Sequence, residues 1–141
     1  MVIYTHFKKI GALVLATALF ALSGTVLAQP PEVKSAGGVT FVSGGVGDES
    51  MAQMTDMEKQ FDLKLFLVGK SGSYLSDIGV VISDAKGKAV VMTTSEGPVF
   101  LANLPSGAYS VKATKNGDAL EQPVSVTSGQ LRTIYLRFPN E

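Results

Sequence analysis

The sequence predicts an all-β fold: an antiparallel β-sandwich of about seven strands, preceded by one short amphipathic helix. Three observations carry this expectation. From residue 61 onward, apolar side chains recur at every second position, the period of a half-buried strand. Turn signals rich in Gly, Pro and Asn separate these runs at even spacing, the pattern of a sandwich. A single segment, 48–60, instead carries apolar residues at helical steps.

An address precedes the fold. Met1 to Lys9 holds Lys8 and Lys9 and no acid, and Ile10 to Leu22 is a 13-residue apolar run. Ser23-Gly24-Thr25 breaks the run, and Val26-Leu27-Ala28 sets small residues before Gln29. This order is that of a secretory signal, so residues 1–28 are expected to direct the chain to the periplasm or outside the cell and to be cleaved after Ala28. The apolar run is shorter than the ~20 residues of a membrane-spanning helix, so a membrane enters only through an uncleaved signal. Gln29 in place of Cys excludes lipid attachment there.

Cleavage leaves 113 residues with 10 bases and 12 acids, a formal charge of −2. Such a balance lacks the basic field of a nucleic-acid binder. The chain has no Cys, and its single His, His6, belongs to the signal. The mature chain therefore cannot assemble a Ser-His-acid or Cys-His nucleophile, or a His/Cys zinc site. No cofactor is expected, and the chemistry left to the chain points to a non-enzymatic role.

Residues 29–38 (QPPEVKSAGG) read as a flexible leader. Residues 39–60 read as a strand (VTFVS), a Gly-rich turn and a helix with Asp48 at its N-cap. Met51, Met54, Met57 and Phe61 fall on one face of that helix. Residues 61–141 form the sandwich domain. Phe61, Leu63, Leu65 and Leu67 open it, with Phe66 and Val68 giving the strand a partly apolar second face. Ile78, Val80 and Ile82 alternate into Asp84-Ala85-Lys86-Gly87, a tight turn in which Gly87 takes positive φ. The strand 88–94 follows, then the turn at Glu96-Gly97-Pro98 and the strand 99–104. Pro105-Ser106-Gly107 turns into Tyr109, Val111 and Ala113, and Asn116-Gly117 marks a hairpin. Pro123 suggests an edge or strand-start position for the strand 120–127, and Ile134, Leu136 and Phe138 alternate through the last strand.

Within 78–138, the apolar strand into Asp84-Ala85-Lys86-Gly87, the run Gly97-Pro98-Val99-Phe100-Leu101-Ala102-Asn103-Leu104-Pro105, and Gly107-Ala108-Tyr109-Ser110-Val111 form a G-x-F…L-P-x-G-x-Y-x-V pattern. In it the chain resembles the carboxypeptidase regulatory-like family, small β-sandwiches of transthyretin-like (prealbumin-like) topology. Phe100 stands one residue later after Gly97 than in that pattern, with Pro98 intervening. The resemblance covers over half of the mature chain and implies fold rather than reaction. Such modules are generally non-catalytic and accompany enzymes, surface proteins and transport machinery as spacers, stabilisers or binding units. The chain also resembles short exported bacterial proteins that carry this module. The transthyretin-related hydrolases use His-dependent sites, so their activity does not transfer. The pattern has a physical basis: Leu104-Pro105 ends a strand, Gly107 permits reversal, and Tyr109 enters the core with its hydroxyl tied to nearby backbone.

Several residue groups invite a functional reading. Met51, Met54 and Met57 offer thioethers suited to Cu(I), though the same spacing suits helix packing. Gly44-Gly45-Val46-Gly47 before a helix could cradle a phosphate, but no Lys follows and Asp48 and Glu49 would repel it, so a turn is expected. Asp48, Glu49, Asp56, Glu58 and Asp62 read as an acidic helix face, and Asp77 and Asp84 as turn residues rather than a Ca²⁺ pair. Lys70 and Ser71 read as a turn, not a dyad. Tyr74, Phe66 and Tyr135 lie off the main apolar phases, with Phe66 expected under the helix and Tyr74 and Tyr135 free for an interaction. The leading expectation is a module that binds or braces an unidentified protein partner through a sheet edge or the helix–loop face. A carbohydrate- or envelope-binding module stacking ligand on Tyr74 or Tyr135 is the alternative, and a Met-based copper carrier is a third.

Overall fold

The computed structural model describes residues 30–141. The export signal read at 1–28 and Gln29 lie outside them. Among the described residues, nine strands fold into two sheets. They are β1 (Lys34–Ala36), β2 (Val39–Gly44), β3 (Leu63–Gly69), β4 (Ile78–Asp84), β5 (Ala89–Ser95), β6 (Val99–Asn103), β7 (Gly107–Lys115), β8 (Asp118–Val126) and β9 (Arg132–Phe138). The helix α1 (Asp48–Met57) stands between β2 and β3 and runs into a 3₁₀ turn, Glu58–Gln60. One sheet has the order β1-β2-β6-β3-β9 and the other β5-β4-β7-β8. The all-β sandwich expected from the periodicity is present, with nine strands rather than seven.

The additional strands have identifiable causes. β2 is the short run 39–43 seen in the sequence. β1 lies inside the segment expected as a flexible leader. Gly37 and Gly38 both adopt positive φ, 58° and 81°, the geometry of a two-residue hairpin loop. They fold Lys34–Ala36 back onto Val39–Phe41. A second departure is the pairing of β3 with β9, which is parallel over seven residues from Leu63↔Arg132 to Gly69↔Phe138. The other pairs are antiparallel.

The inward phases of both sheets meet in one core. Leu63, Leu65 and Leu67 of β3 face Ile78, Val80 and Ile82 of β4, all fully buried. Phe41 and Phe100 stack there with ring centroids 5.8 Å apart. Phe100 is fully enclosed. A second, smaller cluster lies on the outer face of the five-stranded sheet. There α1 lays Met54 on Val42, Val99 and Leu101, with Phe61 closing the end. This explains why Val99 to Ala102 of β6 is buried on both faces.

The turns follow their residue chemistry. Asp84 Oδ1 accepts the N–H groups of Lys86 and Lys88 at 2.9 and 3.0 Å, while Gly87 takes φ 79°. Asn116-Gly117 joins β7 to β8 with both φ positive. Pro123 lies in β8, an edge strand where its missing N–H is tolerated. Gly97 packs so closely on β2 that an added Cβ would sit 2.3 Å from the Gly44 carbonyl oxygen. Asp48 is not the N-cap of α1. Gly47 holds that position at φ 83°, which a side-chain cap residue rarely adopts, and Asp48 and Glu49 instead occupy the first turn beside the positive helix end.

Candidate interaction site

At the β6–β7 reversal, Leu104 follows the end of β6, its N–H donating to Asp62 Oδ1 at 3.0 Å. Pro105 breaks the ladder, and Tyr109 swings back so that its hydroxyl donates to the Pro105 carbonyl at 2.6 Å. Gly107 opens β7 beside the Tyr109 ring, where an added Cβ would make only ordinary contact at 3.6 Å. Burial first, then the nearby Asp62 and Asp84 carboxylates, push the Tyr109 phenol above its ordinary pKa. Tyr109 stays protonated and holds the corner.

The acidic residues named from sequence do not converge. Asp48, Glu49 and Asp56 are exposed on α1. Glu58 pairs with Lys64, and Asp62 is buried under Leu104. Asp77 and Asp84 flank opposite ends of β4, separated by about 20 Å at the rise of a strand. Among the described residues no three of His, Cys, Asp and Glu group as metal ligands. Met54 is wholly enclosed, and Met51 and Met57 pack partly buried against its cluster. The Gly44–Gly47 loop is held by the Gly45 N–H donating to Ser50 Oγ at 2.9 Å. It borders a cleft of about 340 Å³ whose lining includes Glu32 and Glu96 and no base, a poor seat for an anion. Lys70 and Ser71 lie in the loop after β3, where the Ser71 and Ser73 hydroxyls meet at 3.4 Å.

The aromatic residues do converge. On the outer face of the five-stranded sheet, the parallel register sets Phe66 beside Tyr135. Their ring centroids are 5.5 Å apart and inclined by 38°. Tyr74 reaches the same ring through an antiparallel bridge to Val68, edge-on at 5.3 Å and 75°. Phe66, expected under the helix, packs against the cluster that α1 covers. It is half-buried there, leaving part of its ring to meet Tyr74 and Tyr135. Tyr74 and Tyr135 are 61% and 67% exposed. Lys64 places its ammonium 5.5 Å from the Phe66 centroid while pairing with Glu58. Arg137 lies one outward position beyond Tyr135, and its guanidinium donates to the Lys70 carbonyl at 3.0 Å.

The sequence singled out the three rings one by one by their phase. It held no signal that they meet, nor that Lys64 and Arg137 flank them. That adjacency depends on pairing between strands 69 residues apart. Among the described residues no helix is long and apolar enough to cross a membrane. The chain matches no protein-family model and no curated protein.

Proposed function

We propose that the chain is an exported, non-catalytic β-sandwich module, acting in the periplasm or after secretion, that binds a protein partner through the outer face of the five-stranded sheet. One observation carries the reading: the Tyr74–Phe66–Tyr135 cluster, with two rings mostly in solvent, at the margin of an otherwise covered apolar face. Exposed tyrosines on a rigid sheet provide large contact area at small entropic cost and are the residue type that anchors protein interfaces. The lack of His and Cys in the mature chain supports a non-catalytic role. The motif spanning Gly97 to Tyr109 and its resemblance to carboxypeptidase regulatory-like modules support an accessory one.

The carbohydrate-binding alternative draws on the same rings. Their mutual tilts of 38° and 75° favour a shaped contact over a flat glycan platform. A photo-crosslinking residue placed at position 135, with position 112 on the opposite sheet as control, tests the reading in cells. A discrete protein adduct from 135 and none from 112 is expected. Adducts of equal intensity from both, or none from either, overturn it. A glycan array whose binding disappears in Tyr135→Ala favours the carbohydrate reading instead.

A further inference from the structure

We infer that β9 accepts an extended, acidic segment of a partner protein as an added strand, with Tyr135 and Arg137 reading its side chains. The inference rests on the protein-binding reading above and specifies its partner. Four strands form the sheet edges, and three of them are blunted. β1 is only three residues long. β8 carries Pro123. β5 pairs with β4 through a register shift at Ile82/Ser83. β9 has none of these devices: it runs seven residues in unbroken register with β3, without Pro or Gly.

Its open side is defined by the ladder. The Arg132 N–H donates to the Asp62 carbonyl at 2.9 Å, toward β3. Alternation then turns the N–H and C=O of Thr133, Tyr135 and Arg137 to the free edge. The side chains of these same three residues point to the outer, solvent-exposed face. A strand added there would satisfy backbone groups and lie against the aromatic cluster at once.

Charge selects the occupant. β9 holds Arg132 and Arg137 and no acid, and Glu58, beside the aromatic face, is paired with Lys64. A second copy of β9 would bring two further arginines and no acid, and so offers no complementary charge. An acidic segment meets complementary charge.

Selection of random octapeptides displayed on phage against the immobilised mature chain tests this. Peptides bearing acidic residues at alternate positions are expected. Thr133→Glu, which leaves the Arg137–Lys70 contact in place, is expected to weaken the selected peptides at least about tenfold. Backbone N-methylation of a selected peptide at alternate residues is expected to abolish binding. Peptides without acidic bias, or indifferent to Thr133→Glu or to N-methylation, overturn the inference, while adducts from position 135 would leave the protein-binding reading standing. Failure to select any peptide overturns it too, and joined with absence of adducts it removes both. A dimer in sedimentation that Thr133→Glu dissolves assigns the edge to a second copy and also overturns it.

Discussion

The outer faces of the two sheets solve the same problem differently. The four-stranded sheet turns Lys112, Thr114 and Glu121 to water and needs no cover. The five-stranded sheet places Val42, Val99 and Leu101 on its outer face and needs α1 to hide them. The helix covers only part of that face. Beside its cluster, Phe66 meets Tyr74 and Tyr135, whose rings stay mostly in solvent. A wet face is finished by alternation alone. A face that is apolar on both sides is finished by additional structure, and its margin is where binding surface arises.

The largest effect expected on this contrast comes from Gly97→Ala. Its new Cβ would strike the Gly44 backbone 2.3 Å away, separating β2 from the β5–β6 turn and disturbing the seat of α1. A loss of about 3 kcal/mol or more is expected in urea unfolding, and unchanged stability would remove the close approach from the account. Met54→Ala strips the centre of the helix cluster and should lower stability by about 2–3 kcal/mol, read as the same urea midpoint shift at constant slope.

Tyr109→Phe deletes the hydroxyl bond to Pro105 and should lower stability by about 1 kcal/mol. It also has a pH signature. The folded-state pKa of Tyr109 is raised, so below about pH 10 the phenol is protonated in both states. Above that, the unfolded chain ionises first and stability falls as pH rises toward the folded-state value. Thermal melts from pH 9 upward should show this fall in the parent chain, and a smaller one in Tyr109→Phe. The smallest effect belongs to the wet face: Lys112→Ala should shift stability by less than about 0.5 kcal/mol. Tyr135→Ala should be similarly mild for stability, because its ring is two-thirds exposed. A strongly destabilised Tyr135→Ala would make the ring a structural element rather than an exposed anchor.

Much of the fold was legible because one local period governs it. The strands from Leu63 to Phe138, the Asp84–Gly87 turn and the Asn116-Gly117 hairpin follow from alternation and turn chemistry. β1 was hidden because three exposed residues carry no periodicity, and its evidence lay in Gly37-Gly38 alone. The N-cap was misplaced because backbone conformation at Gly47, not side-chain capping, begins α1. The phases of Tyr74 and Tyr135 were readable, but their union with Phe66 was not. It requires the parallel register of β3 and β9, which nothing local encodes.

That parallel pair also bears on when the molecule can become itself. β3 gains its outer neighbour only from residues 132–138, after the whole opposite sheet has been threaded between them. Pairing across so long a stretch of chain is slow, because loop closure precedes its reward. A nascent chain therefore completes its five-stranded sheet, and with it the aromatic face, only when its final strand arrives.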